Sequence, residues 1–177
     1  MLSKRYSIRT RVVPTLFVLV GTLLIAALMV PALSAGARDS EGRKVLEFET
    51  MAPVTGVFQG SANPIRGFGG GGAPWVIASG SGELAANGEL EVHVRGLVLE
   101  RTGANPFNQF GVFVSCLTTA DPTGANPISA GLFAATPTGN MDAEARISLP
   151  RPCVAPIVFV TSPTTPARWF ATTGVGA

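Results

Sequence analysis

Hydrophobic and polar residues alternate along several segments of the chain. In residues 141–149 apolar side chains occupy every odd-numbered position, and polar or charged residues fill the positions between them. Residues 89–99 show the same two-residue period, which is typical of a strand with one buried face. An Asn87-Gly88 pair separates this segment from a strand predicted over 78–86. Asn-Gly between two such segments predicts a β-hairpin.

Other strands are predicted from shorter apolar patterns. Every second residue from Phe110 to Cys116 is apolar, and residues 157–160 form a continuous apolar run of the kind found in buried central strands. Weaker patterns predict strands at 45–50, 54–59, 128–135 and 168–173.

Glycine and proline interrupt the chain too often for long helices. After residue 37 no segment without Gly and Pro exceeds ten residues, which is about the minimum for most helices. Eight or nine short strands with turn residues between them predict an all-β fold. The expected architecture is an antiparallel two-layer β-sandwich, immunoglobulin-like in the broad sense.

The first 37 residues have the features of an export signal. A positively charged segment precedes the apolar residues 16–30, and the small residues of Ala35-Gly36-Ala37 form a signal-peptidase site. We predict a signal peptide over 1–37, with cleavage before Arg38. The alternative is an uncleaved anchor, because residues 16–33 are long enough to span a bilayer. Both interpretations place the domain outside the cytoplasm.

The remaining chain divides into a charged leader over 38–44 and a single domain over 45–177. Residues 38–177 carry nine basic and eleven acidic side chains, so the exported part is mildly acidic although the whole chain has a net charge of +2. Nucleic-acid binding is not expected, because it requires clustered Lys and Arg to neutralise phosphates. Contact with a membrane is expected only through the N-terminal segment, if it is retained.

Two cysteines, Cys116 and Cys153, are the strongest candidates for a covalent feature. An even number of cysteines in an exported chain predicts a disulfide. Two separately buried thiols are the alternative. A zinc site is not expected, because two cysteines and the single histidine give too few ligands at these spacings. The sequence indicates no other metal site and no cofactor.

The glycine-rich residues 66–73 satisfy the letters of a dinucleotide-binding motif. Such a motif requires a following helix, whose N-terminus meets the pyrophosphate, whereas Ala73-Pro74-Trp75 leads into a predicted strand. We therefore interpret the segment as a flexible loop. The Thr-Gly-Ala-Asn-Pro sequences at 102–106 and 123–127 are interpreted as recurrent turns.

Polar side chains on the predicted strands are candidates for chemistry. His93, the single histidine, shares a strand face with Glu91 and Arg95, which favours a solvated, charge-paired side chain over a catalytic base. Paired carboxylates across a cleft would instead permit glycoside hydrolysis. The candidates for such a pair are Glu83, Glu89, Glu91, Asp142 and Glu144. Asp121 and Asn126 lack the acidic neighbours that a calcium loop requires.

Aromatic residues bear on ligand binding. The segment after residue 37 has no tyrosine and two tryptophans, Trp75 and Trp169. With His93, these are the candidate ligand-contacting residues. A carbohydrate platform requires one of the tryptophans to be exposed, whereas a core position would exclude it.

Several short motifs resemble a group of small exported bacterial proteins with no assigned activity. The motifs are Pro74-Trp75-Val76-Ile77, Val114-Ser115-Cys116-Leu117-Thr118, Ala155-Pro156-Ile157-Val158-Phe159-Val160-Thr161-Ser162-Pro163 and Trp169-Phe170-Ala171. The resemblance covers about residues 72–174 and implies a secreted domain with paired cysteines, without catalytic residues. Residues 82–97 also resemble the central hairpin of extracellular CHRD domains, but the His-containing segment that follows there is missing here.

The sequence therefore predicts a secreted, non-enzymatic β-sandwich that acts as an extracellular binding or envelope-associated module for an unidentified ligand or protein. The alternative is a secreted hydrolase that uses carboxylates of the Glu89/Glu91 strand. A flat polar sheet face would favour the binding module, and two carboxylates in a deep pocket would favour the hydrolase.

Overall fold

The structure is a computed structural model that describes residues 42–173. Its described part is all-β, as predicted, with eleven strands, a 3-10 turn at Gly56–Phe58 and no α-helix. The signal peptide predicted over 1–37 and most of the charged leader lie outside the described residues. The strands are β1 (Lys44–Phe48), β2 (Ala52–Pro53), β3 (Trp75–Val76), β4 (Ser79–Ala85), β5 (Glu89–Arg95), β6 (Val98–Leu99), β7 (Gln109–Leu117), β8 (Ile128–Ala134), β9 (Met141–Arg146), β10 (Val154–Thr161) and β11 (Trp169–Thr172).

The strands form two larger antiparallel sheets and one short ribbon. The four-stranded sheet has the order β1-β4-β5-β9, and the five-stranded sheet has the order β2-β11-β10-β7-β8. The ribbon pairs β3 with β6. Buried residues of both larger sheets contribute to a single hydrophobic cluster, so the fold is sandwich-like. Immunoglobulin-like connectivity stays a prediction.

The predicted Asn-Gly hairpin is confirmed. It joins β4 to β5 with Leu84 opposite Leu90 and Glu83 opposite Glu91. Gly88 has a φ of +89°, a left-handed conformation that favours glycine. A side chain at this position would also collide with the carbonyl oxygen of Ile147.

Alternation along the strands places the predicted apolar faces inside. In β5 the even-numbered residues are buried, and in β7 Phe110, Val112, Val114 and Cys116 are buried as predicted. The apolar run of β10 lies between β7 and β11, which confirms its central position. Burial of these aliphatic and aromatic side chains supplies the main driving force for folding.

Three predicted strands differ in the structure, and the one predicted over 141–149 ends at Arg146. Residues 54–59 do not form a strand, because Gly56 adopts a φ of +53° and the 3-10 turn begins there. The pairing falls earlier, where Ala52 and Pro53 bond to β11. The strand predicted over 89–99 ends at Arg95, because Gly96 has a φ of +67° and redirects the chain to the β3–β6 ribbon.

The glycine-rich segment, predicted as a flexible loop, is packed at its centre. Gly69 and Gly71 exchange backbone hydrogen bonds with Trp169 of β11, at 3.1 and 2.9 Å. A side chain at Gly70 would collide with the carbonyl oxygen of Phe58. The glycines therefore permit a close approach of two backbones, which composition alone does not reveal.

Arg66 fastens this segment to the outer face of the five-stranded sheet. Its guanidinium donates to the carbonyl oxygen of Ser115 at 3.0 Å and to that of Ala155 at 2.6 Å. Nearby, Phe68 stacks on Phe159, with ring centroids 5.3 Å apart. Burial lowers the pKa of Arg66, although Asp121 opposes that effect. Residues 65–68 thus cover part of the sheet.

The predicted disulfide between Cys116 and Cys153 is present. The two Cα atoms lie 4.9 Å apart, because Cys153 directly precedes Val154, which pairs with Leu117 at the end of β7. Disulfides persist in oxidising compartments, so the bond is consistent with an extracellular location. Among residues 42–173, no helix has the length and apolar character needed to cross a bilayer.

Removal of the disulfide is expected to destabilise the domain strongly. The bond closes a loop with a sequence separation of 37 residues, so the Cys116→Ala/Cys153→Ala variant should lose about 2 to 5 kcal/mol of unfolding free energy. Chemical denaturation of the variant and wild type measures the loss. As a control, the wild-type chain denatured without reductant should show no reactive thiol, and two reactive thiols would contradict the bond.

Alanine substitutions at Gly70 and Gly72 test whether the glycine-rich segment is packed against its neighbours or is a flexible loop. Gly70→Ala should lower the free energy of unfolding by about 1 to 3 kcal/mol, because its methyl group would meet backbone atoms. Gly72→Ala is the matched control, since nothing lies within 4 Å of its added carbon. Thermal and urea unfolding measure both effects. Equal stability of the two variants would show that the segment is not tightly packed.

Candidate functional site

The outer surface of the four-stranded sheet carries most of the charged side chains that are candidates from the sequence. We call this surface the charged face. Its charged residues are Lys44, Glu47, Glu83, Glu89, Glu91, His93, Arg95, Asp142, Glu144 and Arg146. It thus combines six carboxylates with three permanent cations and one histidine.

Four glutamates form a straight row across the charged face. Glu47 lies opposite Glu83, Glu83 opposite Glu91, and Glu91 opposite Glu144 on adjacent strands. We call this set the glutamate row. Like charges directly opposite each other destabilise a sheet, so the row needs compensating cations or a bound partner.

Lys44 compensates one end of the glutamate row. Its Nζ atom lies 2.8 Å from Glu47 Oε1 and 2.6 Å from Glu83 Oε2. The hydrogen bond to Glu47, followed in size of effect by that to Glu83, raises the pKa of Lys44 above its ordinary value. Lys44 was not among the candidates from sequence, because its position depends on the pairing of β1 with β4.

His93 links the middle of the row to the adjacent strand. Its Nε2 lies 2.8 Å from Glu91 Oε1, and its Nδ1 lies 2.7 Å from Asp142 Oδ1. The same Asp142 oxygen accepts a hydrogen bond from Arg95 Nη2 at 2.7 Å. The hydrogen bond to Asp142 is the main cause that raises the pKa of His93, and it also lowers the pKa of Asp142.

A concavity of about 510 Å³ lies over the glutamate row and is lined by Lys44, Glu83, Glu89, Glu91 and Glu144. The Glu83 and Glu91 side chains keep 42% and 46% of their surface exposed. A carboxylic acid that serves as a proton donor near neutral pH is usually sheltered from water, which raises its pKa. The concavity therefore offers polar contacts from an open sheet face rather than from a closed pocket.

The two candidate tryptophans are core residues. Trp75 is 2% exposed and stacks on Phe170, with ring centroids 4.0 Å apart, while Trp169 is 1% exposed beneath the glycine-rich segment. Neither presents a ring to solvent, so the condition for a carbohydrate platform is not met. Both indole rings fill space in the core, close to the point where the glycine-rich segment approaches the backbone of β11.

Asp121 is engaged by its own loop. Its carboxylate accepts hydrogen bonds from the backbone amides of Gly124 and Asn126, both at 2.9 Å, and from the Thr123 hydroxyl at 2.8 Å. The hydrogen bond from Thr123 is the main cause that lowers the pKa of Asp121 to about 2, followed by the bond from the Asn126 amide. The oxygens stabilise a turn. No group of three or more His, Cys, Asp or Glu residues in 42–173 is arranged to hold a metal ion.

The structure brings together His93 and all five candidate carboxylates, but on an exposed face. It adds Lys44, Glu47 and Arg146, which no sequence pattern indicates. Part of this grouping was accessible from sequence, because the Asn87-Gly88 turn and the alternating patterns on both sides of it predict that β4 pairs with β5. The structure closes this hairpin with the three-residue loop 86–88, which places Glu83 opposite Glu91. Pairing with β1 and β9 is long-range and has no comparable local signal.

The ion pairs of His93 can be tested by titration. Its pKa in the folded chain should exceed the ordinary value of 6.5, and Asp142→Asn should lower it. These exposed pairs contribute less than about 1 kcal/mol to stability. Because the folded-state pKa is raised, that contribution is complete below pH 6.5 and is lost as pH rises through the folded-state pKa.

NMR of the His93 ring protons measures the pKa of His93 in the native chain and in Asp142→Asn. Glu144→Gln is the control, because Glu144 lies on the same strand as Asp142 but opposite Glu91. An unchanged pKa in Asp142→Asn, or a native value at or below 6.5, would contradict the pairing.

Comparisons of the chain with protein-family models, with curated proteins and with solved structures find no match. The residues of the charged face are therefore the basis for a functional assignment.

Proposed function

We propose that the protein is an exported, non-enzymatic binding module that contacts an extracellular or envelope partner through the charged face. Export would be directed by residues 1–37, and the domain would have a two-layer sandwich architecture, immunoglobulin-like in the broad sense. The observation that carries the proposal is the glutamate row, an exposed line of in-register carboxylates on a sheet.

The charge of the face indicates the character of the partner. Six carboxylates oppose three permanent cations, and Glu144 has no cation within 4.0 Å among residues 42–173. Cross-strand repulsion within the row is relieved when positive charge approaches it. A partner with basic groups at the spacing of adjacent strands, about 4.8 Å, would meet the row in register.

Exposure of the carboxylates supports binding over catalysis. Hydrolysis of a glycoside requires one carboxyl group to hold its proton near neutral pH, which shielding from water usually provides. Glu83 and Glu91 are open to solvent, and each already contacts a cationic or titratable neighbour, Lys44 or His93. Their arrangement suits attraction of a charged surface.

The alternative of a carboxylate-dependent hydrolase has one observation in its favour. Four glutamates line the same concavity of about 510 Å³, a volume within the range of small-molecule sites. In that case Glu91, at the centre of the row, would be the residue on which the reaction depends. Binding without chemical change distinguishes the module from the enzyme.

Sedimentation with isolated cell envelopes of the producing cells tests both functions at once. The exported chain should pellet with the envelopes, and Glu91→Gln should reduce the bound fraction severalfold, because it removes the central charge of the row. Glu100→Gln is the matched control, since Glu100 is an exposed glutamate in a turn outside the row. Increasing salt should weaken the binding.

Analysis of the supernatant completes the experiment. Release of soluble fragments that stops in Glu91→Gln would replace the binding module by the hydrolase. Equal loss of binding in Glu91→Gln and Glu100→Gln would show that the charged face is not the contact surface.

A further inference from the structure

Three arginines from separate segments line one concavity at the hairpin end of the four-stranded sheet. Arg43 precedes β1, Arg146 ends β9, and Arg151 lies in the loop before β10. The concavity has a volume of about 500 Å³. We call these three residues with their concavity the arginine basin. An adjoining concavity of about 460 Å³ is also lined by Arg146 and Arg151.

The backbone holds the arginine basin in place. The Ala86 amide donates to the Arg43 carbonyl oxygen at 2.8 Å, and the Ile147 amide donates to the Gly88 carbonyl oxygen at 2.9 Å. Arg151 lies two residues before the disulfide-bonded Cys153. All three arginines therefore extend from backbone that is anchored on the same hairpin turn or beside the disulfide.

Charge within the basin is weakly compensated. Arg146 Nη1 lies 3.5 Å from Glu89 Oε1, with both side chains more than 60% exposed. Within residues 42–173, neither Arg43 nor Arg151 has a carboxylate oxygen within 4.0 Å. By contrast, Arg95 is paired with Asp142 at 2.7 Å. A mildly acidic domain thus places three arginine residues around one space.

The remaining lining defines what could occupy the space. Val45, Leu149 and Pro150 supply apolar surface, and Asn87 supplies an amide. The Asn87 Oδ1 atom accepts a hydrogen bond from the Glu89 amide at 3.0 Å. The side-chain NH2 group of Asn87 is therefore the part that can donate to a ligand. The lining therefore combines hydrogen-bond donors with an apolar surface, as expected for an organic anion.

We propose that the arginine basin binds phosphate or sulfate ester groups carried on an organic body. Guanidinium groups bind such tetrahedral oxyanions through paired hydrogen bonds, and three arginines around one space offer donors to more than one negative oxygen. The volume exceeds that of a single inorganic ion and lies within the range of small-molecule sites. The inference rests on the proposed binding function and adds to it a second contact, one for anionic ester groups.

Titration of the exported, 15N-labelled chain with sodium pyrophosphate at constant ionic strength tests the site. Saturable shifts are expected in the backbone amides of residues 43, 86–88, 146–149 and 151. Arg151→Gln should weaken the affinity about fivefold, as for loss of one charge-assisted contact at an exposed site. Arg101→Gln is the matched control, an exposed arginine outside the basin that should leave the affinity unchanged.

A second arm distinguishes free esters from polymer-bound ones. Dextran sulfate and glucose 6-sulfate are compared at equal sulfate concentration, with Arg151→Gln as before. Tighter binding of the polymer at the basin assigns a polymeric ligand, and equal binding assigns a small ester. Absence of localised shifts with every probe, or equal weakening by Arg151→Gln and Arg101→Gln, would overturn the proposal.

The two proposals fail independently. Loss of envelope binding in Glu91→Gln, with pyrophosphate affinity unchanged, would assign the two events to different surfaces and keep both. Pyrophosphate binding without any envelope association would remove the proposed function and leave the anion site. Envelope association without oxyanion binding would remove the anion site alone.

Discussion

The register of the β4–β5 hairpin determines both the core and the charged face. Leu84 opposite Leu90 places apolar side chains inside, and the adjacent pair of Glu83 and Glu91 is then forced outward. A slip of one residue would exchange the two faces, because side chains alternate along a strand. Both the packing of the leucines and the cost of burying glutamates therefore favour the register that places Glu83 opposite Glu91.

The turn of this hairpin also organises the end of the sheet. Gly88 approaches the backbone of Ile147 so closely that a side chain would not fit, and its carbonyl oxygen accepts the Ile147 amide. The end of β9, with Arg146, is thereby held against the turn. The disulfide between β7 and Cys153 holds the loop that carries Arg151 at the same end. The position of the arginine basin thus depends on both the local hairpin turn and the long-range disulfide.

The fold could be predicted where the signal is local and could not where it depends on distant contacts. Strict alternation identified β5 and β9, and Asn-Gly identified β4 as the hairpin partner of β5. The close packing at Gly70 could not be inferred from the sequence, because it depends on the carbonyl of Phe58 and on the neighbouring strand β11. Lys44 was missed for a similar reason, since only the pairing of β1 with β4 brings it to Glu83.

Net charge conceals how the charges of this domain are arranged. Residues 38–177 include nearly equal numbers of acidic and basic residues, which predicts little preference for charged partners when the charges are mixed. The sheet instead places carboxylates in a row across its strands, and the turn and disulfide gather arginines at one end. The two surfaces adjoin at Arg146, which lines the arginine basin and pairs with Glu89 of the charged face. A partner that bears both basic and esterified groups would be oriented by these two surfaces, and the hairpin register would set that orientation.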